Sequence, residues 1–264
     1  MHPNPLTFLH CWPLLRLTMA QILLYLLHMK VLIVAATYLE VRPLLAALGH
    51  KQKVGRGLYN FRYKDLTGAV LITGVGMVGT AFYMAKAFEK DDYNLVINLG
   101  LCGSFDKAIP LGAVLHVTKD RFSEMGAEAG NKFIPLNQTG IIKEEDMVFE
   151  QRSTNAPKVW RIPTMQKLRK VEGITVNTVH GNEPSILIAI NRFHPQVETM
   201  EGASFFFCAR LQGINCLQIR SVSNYVEKRN KSEWDVPFAV ENLNKFGILL
   251  LEDLFKHRNL WINA

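Results

Sequence analysis

Short apolar runs alternate with amphipathic segments from residue 29 to the end of the chain. Runs of about four to eight apolar residues, rich in β-branched side chains, are typical of buried strands. On this pattern we predict strands over Val31–Ala36, Leu58–Tyr63, Ala69–Thr73, Leu95–Asn98, Ala113–Thr118, Ile174–Thr178 and Cys216–Ser221. The polar stretch Asp65–Gly68 is predicted to form a turn between the second and third of these strands.

Helical periodicity appears between the strands. It predicts helices over Leu39–Leu48, Thr80–Phe88, Gly202–Gln212 and Phe238–Phe255. In the last of these, apolar residues recur at a spacing that places them on one face, where they would pack on a core; they are Leu243, Phe246, Leu250 and Leu254.

Strands interleaved with helices predict an α/β protein with a central mixed, twisted sheet that is covered on both faces. No repeat, low-complexity tract or linker divides the chain, so we expect a single α/β/α sandwich domain. Binding sites in such sheets gather where loops leave the strand ends. Polar residues at predicted strand ends are therefore the candidates for a functional site.

The first 28 residues differ from the rest, being rich in leucine and poor in acidic groups. Met29 opens the segment Met29–Ala36, which contains the first predicted strand, as a natural start would. We therefore expect residues 1–28 to be an extension from a misassigned start codon and residues 29–264 to form the domain. The alternative is an N-terminal helix that associates with a membrane, although its apolar run is too short to span one.

Composition narrows the function. The four cysteines form no C-x-x-C pair and no cluster with zinc-ligand spacing, so we expect a reducing compartment, no metal and no cofactor. The net charge of +7 comes from scattered basic residues without an aromatic-interleaved stripe. This disfavours nucleic-acid binding and favours an enzyme that handles a small, anionic molecule.

Four segments carry polar groups or glycines at predicted strand ends; they are Ala35–Glu40, Gly74–Gly79, Asn98–Ser104, and Glu198–Ala203 together with Arg220–Asn224. Each has an ordinary explanation. Glu40 could be a first-turn acid of a helix, Glu201 a cap-region carboxylate, and Asn224 a turn residue. A G-x-G turn is by itself a weak signal for ligand contact.

Their combination is more specific. Met200-Glu201-Gly202-Ala203 opens a predicted helix, and about twenty residues later a strand ends in Ser221-Val222-Ser223-Asn224. Upstream stand Glu40, Gly74-Val75-Gly76 and the turn-like Asn98–Gly103. In this order the motifs resemble the nucleoside phosphorylase and nucleosidase superfamily, from Met29 to the C-terminus. The resemblance implies its phosphorylase/hydrolase-like fold.

Within that superfamily the chain is most similar to the futalosine hydrolases. The similarity is carried by Gly74–Val78, Val179–Glu183 and Ser221–Glu227. It implies a cytoplasmic hydrolase of menaquinone biosynthesis that releases hypoxanthine from futalosine, and a homodimer or larger homo-oligomer.

The resemblance also implies roles for individual residues. Glu40 would be the general base that deprotonates the attacking water, and Glu201 would accept hydrogen bonds from the ribose hydroxyls. Met200 would pack under the sugar, and Asn224 would bind the purine and help it leave. Further substrate contacts are implied for Gly76, Met77, Gly100, Leu101 and Ser223.

Two further observations concern the identity of the nucleophile and the residues that bind the 5′ substituent of the substrate. Hexameric bacterial phosphorylases carry an Arg and a Ser where this chain has Asn98 and Leu101, which cannot bind a phosphate dianion in the same way. Water is therefore the expected nucleophile. The carboxylate of futalosine needs a basic partner, for which Arg229 and Lys231 are candidates; both could equally be solvated surface charges.

Three alternatives stay open. A nucleosidase acting on methylthioadenosine or aminofutalosine would favour an Asp in place of Asn224. A phosphorylase is disfavoured by Asn98 and Leu101. A non-catalytic nucleoside-binding protein would not need both Glu40 and Glu201.

Overall fold

The structure is a computed structural model that describes residues 29–130, 132–140, 150–152 and 162–257. The expected extension, residues 1–28, lies outside the described residues. Over the described ranges, no helix combines the length and the apolar character needed to cross a bilayer.

The strands form one ten-stranded sheet and one separate hairpin. They are β1 (Lys30–Ala35), β2 (His50–Gly55), β3 (Leu58–Tyr63), β4 (Leu66–Ile72), β5 (Leu95–Ser104), β6 (Val114–Phe122), β7 (Gly126–Ala129), β8 (Lys132–Pro135), β9 (Glu150–Arg152), β10 (Arg169–Thr175), β11 (Val197–Thr199) and β12 (Asn215–Tyr225). The hairpin is β7–β8. The main sheet runs in the order β11-β10-β6-β12-β5-β1-β4-β3-β2, with β9 paired to β6.

The sheet is mixed. Strand β1 is parallel to both β4 and β5, and β12 is parallel to β5 but antiparallel to β6. Strand β11 pairs with β10 and also, antiparallel, with β5. The five strands β5, β12, β6, β10 and β11 therefore close on themselves, which gathers several strand ends around one point.

Helices cover both faces of the sheet. They are α1 (Tyr38–Ala47), α2 (Met77–Lys90), α3 (Pro163–Gln166), α4 (Glu183–Phe193), α5 (Gly202–Leu211) and α6 (Val236–Lys256). Alternate residues of β1 point to opposite faces: Val31 and Ile33 pack with α1 and α6, whereas Leu32 and Val34 pack with α2 and α5. The predicted fold class, an α/β/α sandwich with a central mixed sheet, is confirmed.

The predicted apolar face of the last helix is also confirmed, because all four of its residues are buried in α6. Two predicted turns are wrong. Strand β4 begins at Leu66, so the reversal is the shorter Lys64-Asp65, with Lys64 at a φ of 54°. Strand β5 continues through Asn98–Gly103, because neighbouring strands hydrogen-bond it along this stretch.

Strand β10 spans Arg169–Thr175 rather than Ile174–Thr178, and β2 and β11 were not predicted. Strand β2 has the polar sequence of an edge strand, and β11 is only three residues long. Neither carries an apolar run that a pattern could detect.

A buried asparagine of α6 supports the first turns of α1. Helix α1 contains Pro43, which lacks an N–H donor and crowds the preceding turn. The Asn244 side chain accepts from the Leu44 N–H at 2.8 Å and donates to the Glu40 carbonyl at 2.8 Å. Asn244 thereby fixes the backbone of the turn that carries Glu40.

Replacing Asn244 by alanine should therefore destabilise the protein by about 2–4 kcal/mol, since buried backbone groups lose their partners. Asn242 on the same helix is half-buried and donates one hydrogen bond to the Gly112 carbonyl, so Asn242→Ala should cost only about 1 kcal/mol. Urea unfolding of the two variants compares these losses directly. Equal losses would contradict a special role for Asn244.

Candidate active site

A cavity of about 340 Å³ lies at the edge of the sheet where β1, β5, β11 and β12 end. Six of the eleven residues predicted for the site line it: Glu40, Leu101, Met200, Glu201, Ser223 and Asn224. Residues far apart in sequence thus meet at one edge of the sheet, as the strand-end argument predicts.

Glu40 belongs to a helix cap and to the cavity at once. Its Oε2 accepts from the Thr37 N–H at 2.8 Å and from the Thr37 hydroxyl at 2.9 Å, which completes a capping box at the start of α1. Its Oε1 accepts from the Leu101 N–H of β5 at 3.0 Å. The first-turn acid and the cavity carboxylate are therefore the same group, held by contacts at both oxygens.

Glu201 precedes α5 but makes no side-chain cap bond to that helix. Its Oε1 instead accepts from the Gly76 N–H at 3.0 Å, and its Oε2 lies 3.4 Å from Nη1 of Arg220. Gly76 has a φ of 98°, a conformation that residues with a side chain rarely adopt. The G-x-G turn therefore presents a backbone donor to the Glu201 carboxylate.

Arg220 is the cation that accompanies these carboxylates, although it is only 1% exposed. It donates to the Gln218 side chain at 3.0 Å, to the Leu101 carbonyl at 3.3 Å and to Oδ1 of Asn98. A Cβ atom at Gly100 would collide with the guanidinium and lie 3.1 Å from Oε1 of Glu40. Gly100 thus leaves room for Arg220 beside Glu40.

Burial sets the electrostatics of the site. It raises the pKa of Glu40, and the nearby Glu201 raises that pKa further, against the lowering effects of the Leu101 N–H and Arg220. Behind the cavity, burial raises the pKa of Asp120 to about 6. Gln218 connects the Asp120 carboxyl to Arg220, since its side chain donates to Asp120 at 3.1 Å and accepts from Arg220 at 3.0 Å.

Asn224 is directed by an irregularity in β12. The pairing with β5 shifts register between Val222 and Asn224, a bulge of the kind that re-aims side chains. Its Oδ1 accepts from the Ser223 hydroxyl at 2.8 Å, and its Nδ2 donates to the Tyr225 carbonyl at 3.0 Å. Asn224 is thus a strand residue at the cavity wall and not a turn residue.

The other five predicted residues do not line the cavity: Gly76, Met77, Gly100, Arg229 and Lys231. Gly76 and Gly100 act on it through the contacts described above. Met77 borders a separate surface depression, and its carbonyl accepts from the Ser204 hydroxyl at 2.9 Å. The guanidinium of Arg229 lies 5.1 Å from the ring centroid of Trp234. Trp234 lines the cavity, so Arg229 lies beside a residue of the cavity wall.

Sequence reasoning assigned no role to several groups of the site, although it singled out the segments that contain Arg220, Glu198 and His180. Arg220 and Gln218 stand inside an otherwise apolar run, and a charged or amide side chain in a buried strand is the signal that could identify them. Glu198 and His180 also line the cavity. In the described part of the chain, no group of His, Cys, Asp and Glu side chains is arranged to hold a metal ion.

Comparison with known proteins gives this site a family. The chain is 29% identical over 219 residues to the futalosine hydrolase of Acidothermus cellulolyticus, covering 82% of this chain and 88% of that protein. It is 27% identical over 181 residues to the futalosine hydrolase of Streptomyces coelicolor, covering 66% and 74%.

Among solved structures, futalosine hydrolase of Helicobacter pylori superimposes with a TM-score of 0.73 at 17% identity. The superposition covers 86% of this chain and 98% of that one, which shows a shared fold. The family model of the phosphorylase superfamily matches residues 30–255. The chain belongs to the phosphorylase superfamily.

Proposed function

We propose that this protein hydrolyses the N-glycosidic bond of a purine nucleoside, and that the nucleoside is futalosine. The products would be hypoxanthine and dehypoxanthine futalosine, as a step of menaquinone biosynthesis in the cytoplasm. The observation that supports hydrolysis best is the pair of buried carboxylates, Glu40 and Glu201, on one cavity. Similarity to futalosine hydrolases supports the choice of substrate.

In this proposal Glu40 is the general base. It takes a proton from the water that attacks the anomeric carbon of the ribose. A base works best when its pKa approaches the working pH, and burial together with Glu201 raises the pKa of Glu40 in that direction. The contacts from Thr37 and Leu101 keep the carboxylate in place while it accepts the proton.

Glu201 acts on the sugar. Cleavage of a glycosidic bond passes through a transition state in which the ribose resembles an oxocarbenium cation. Hydrogen bonds from the ribose hydroxyls to the Glu201 carboxylate strengthen as that positive charge develops. Met200, the neighbouring residue in the cavity wall, supplies the apolar surface under the sugar.

The cavity favours water over phosphate as the nucleophile. Among the described residues, none that lines it is Lys or Arg. The nearby guanidinium of Arg220 has a protein partner for each of its three nitrogens. A phosphate dianion would therefore approach two carboxylates without a charged donor of its own.

The two ends of the substrate are assigned to different residues. Asn224 donates its amide N–H to O6 of hypoxanthine and accepts from N7 or N1. Arg229, beside Trp234 at the cavity, or Lys231 faces the carboxylate of the 5′ substituent. We further propose that residues 29–264 form the catalytic domain, that residues 1–28 are dispensable, and that the enzyme is a homodimer or larger homo-oligomer.

The first experiment compares futalosine, inosine and methylthioadenosine as substrates, each with and without inorganic phosphate. We expect hypoxanthine release from futalosine at the highest kcat/KM, at a rate independent of phosphate, with a free sugar as product. Chromatography of the base and mass analysis of the sugar measure both points. A ribosyl 1-phosphate would refute hydrolysis, and a preference for methylthioadenosine would refute the substrate assignment alone.

The second experiment changes the residue assigned to the base. Adenine presents an amino group where hypoxanthine presents O6, so the NH₂ group of Asn224 would face another donor. One buried donor would then stay unpaired, at a cost of about 1–3 kcal/mol or roughly a 5- to 150-fold lower kcat/KM. The wild type should therefore prefer futalosine to aminofutalosine, and Asn224→Asp should narrow or reverse that preference. The readout is the ratio of the two kcat/KM values in each protein. A ratio that Asn224→Asp leaves unchanged would show that Asn224 does not read the base.

A further inference from the structure

A histidine and a glutamate form a fixed pair in the cavity wall. Nδ1 of His180 lies 2.6 Å from Oε2 of Glu198, and the His180 backbone N–H donates to Oε1 of the same carboxylate at 3.1 Å. The side chains are 17% and 3% exposed. Both oxygens of the Glu198 carboxylate thus hold the loop residue His180, which limits the orientations open to the imidazole.

The pair lies beside Asn224, the residue assigned to the purine. A Cβ atom built on Gly103 of β5 would lie 3.2 Å from Nδ2 of Asn224 and 3.4 Å from Cγ of Glu198. All three side chains line the same cavity. Nδ1 of His180 faces Glu198, and the other ring nitrogen, Nε2, makes no hydrogen bond to any of the described residues.

Departure of hypoxanthine needs a proton that the groups assigned above do not supply. The Asn224 amide has no proton to transfer. Glu40 and Glu201 are committed to the water and the ribose. Burial raises the pKa of the Cys102 thiol, also in the cavity wall, to about 12, so this thiol keeps its proton. Among the described ionisable groups of the wall, His180 and Glu198 are the ones left.

We propose that His180, positioned by Glu198, is the general acid that protonates the leaving purine; this inference rests on the proposed nucleosidase activity. The imidazolium transfers the Nε2 proton to N7 as the bond between N9 and the anomeric carbon breaks, and the bonding pair stays with the purine. The water oxygen bonds to the anomeric carbon and gives its proton to Glu40. Glu40 then releases its proton to solvent, and His180 takes up a proton from solvent, which restores both residues.

Glu198 serves this step as a positioning residue. A carboxylate that accepts from Nδ1 keeps one imidazole proton there, so the proton to be transferred is on Nε2. The Asn224 amide then holds O6 and N1–H of the base, which leaves N7 to the imidazole. In this arrangement Asn224 recognises the base and His180 activates it.

The test uses two leaving groups. Futalosine needs protonation of its base, whereas 4-nitrophenyl β-D-ribofuranoside releases a stable phenolate without it. His180→Gln should lower kcat/KM for futalosine by about 10²- to 10⁴-fold and change that for the nitrophenyl riboside by less than about fivefold. Glu198→Gln should show the same selective loss to a smaller degree, because the amide holds the ring without fixing its proton.

His194→Gln is the matched control, since His194 is exposed at the end of α4, outside the cavity wall, and should keep wild-type rates on both substrates. Thermal unfolding of each variant shows whether it is folded. If His180→Gln does not fold, Glu198→Gln provides the test. Equal losses on the two leaving groups, or no loss on futalosine, would overturn the role of His180. A wild type that cleaves neither compound would instead overturn the proposed function.

Discussion

The structure is organised around negative charge that is buried beside one guanidinium. Glu40 and Glu201 approach each other closely enough that Glu201 raises the pKa of Glu40, and Arg220 is the buried cation next to both. Carboxylates in such a place are costly unless hydrogen bonds and a counter-charge hold them. The backbone N–H groups of Leu101 and Gly76 provide those bonds, and Gly100 leaves the space for Arg220.

The fold supplies these contacts from elements that meet only at the sheet edge. Strand β5 runs between β1 and β12, so the end of β1 brings Glu40 next to Leu101, and β12 brings Arg220 and Asn224 to the same place. Strand β11 closes the group by pairing with β5, which places Glu198 beside Gly103. The Asn244 amide then ties the turn of Glu40 to the long C-terminal helix.

Much of this was predictable from the sequence. The alternation of apolar runs and amphipathic segments indicates the sheet and its covering helices, and the motif order places Glu40, Glu201 and Asn224 near one another. Contacts between distant segments could not be predicted, because no local pattern encodes them: the course of β5 through its glycines depends on neighbouring strands, and the pairing of His180 with Glu198 depends on the three-residue strand β11.

In the proposed reaction Glu40 must be ionised to act, and the charge on Glu201 opposes its ionisation. The pH dependence of kcat/KM for futalosine measures this effect in the wild type and in Glu201→Gln. Glu252→Gln is the control, because Glu252 of α6 pairs with Tyr63 and Lys64 outside the cavity wall. A pKa raised by burial and by Glu201 predicts that wild-type activity falls on acidification at a pH above the ordinary glutamate value. Removing the Glu201 charge should move that fall to lower pH. An acid limb that stays in place or moves to higher pH in Glu201→Gln would show that the Glu201 charge does not raise the pKa of Glu40.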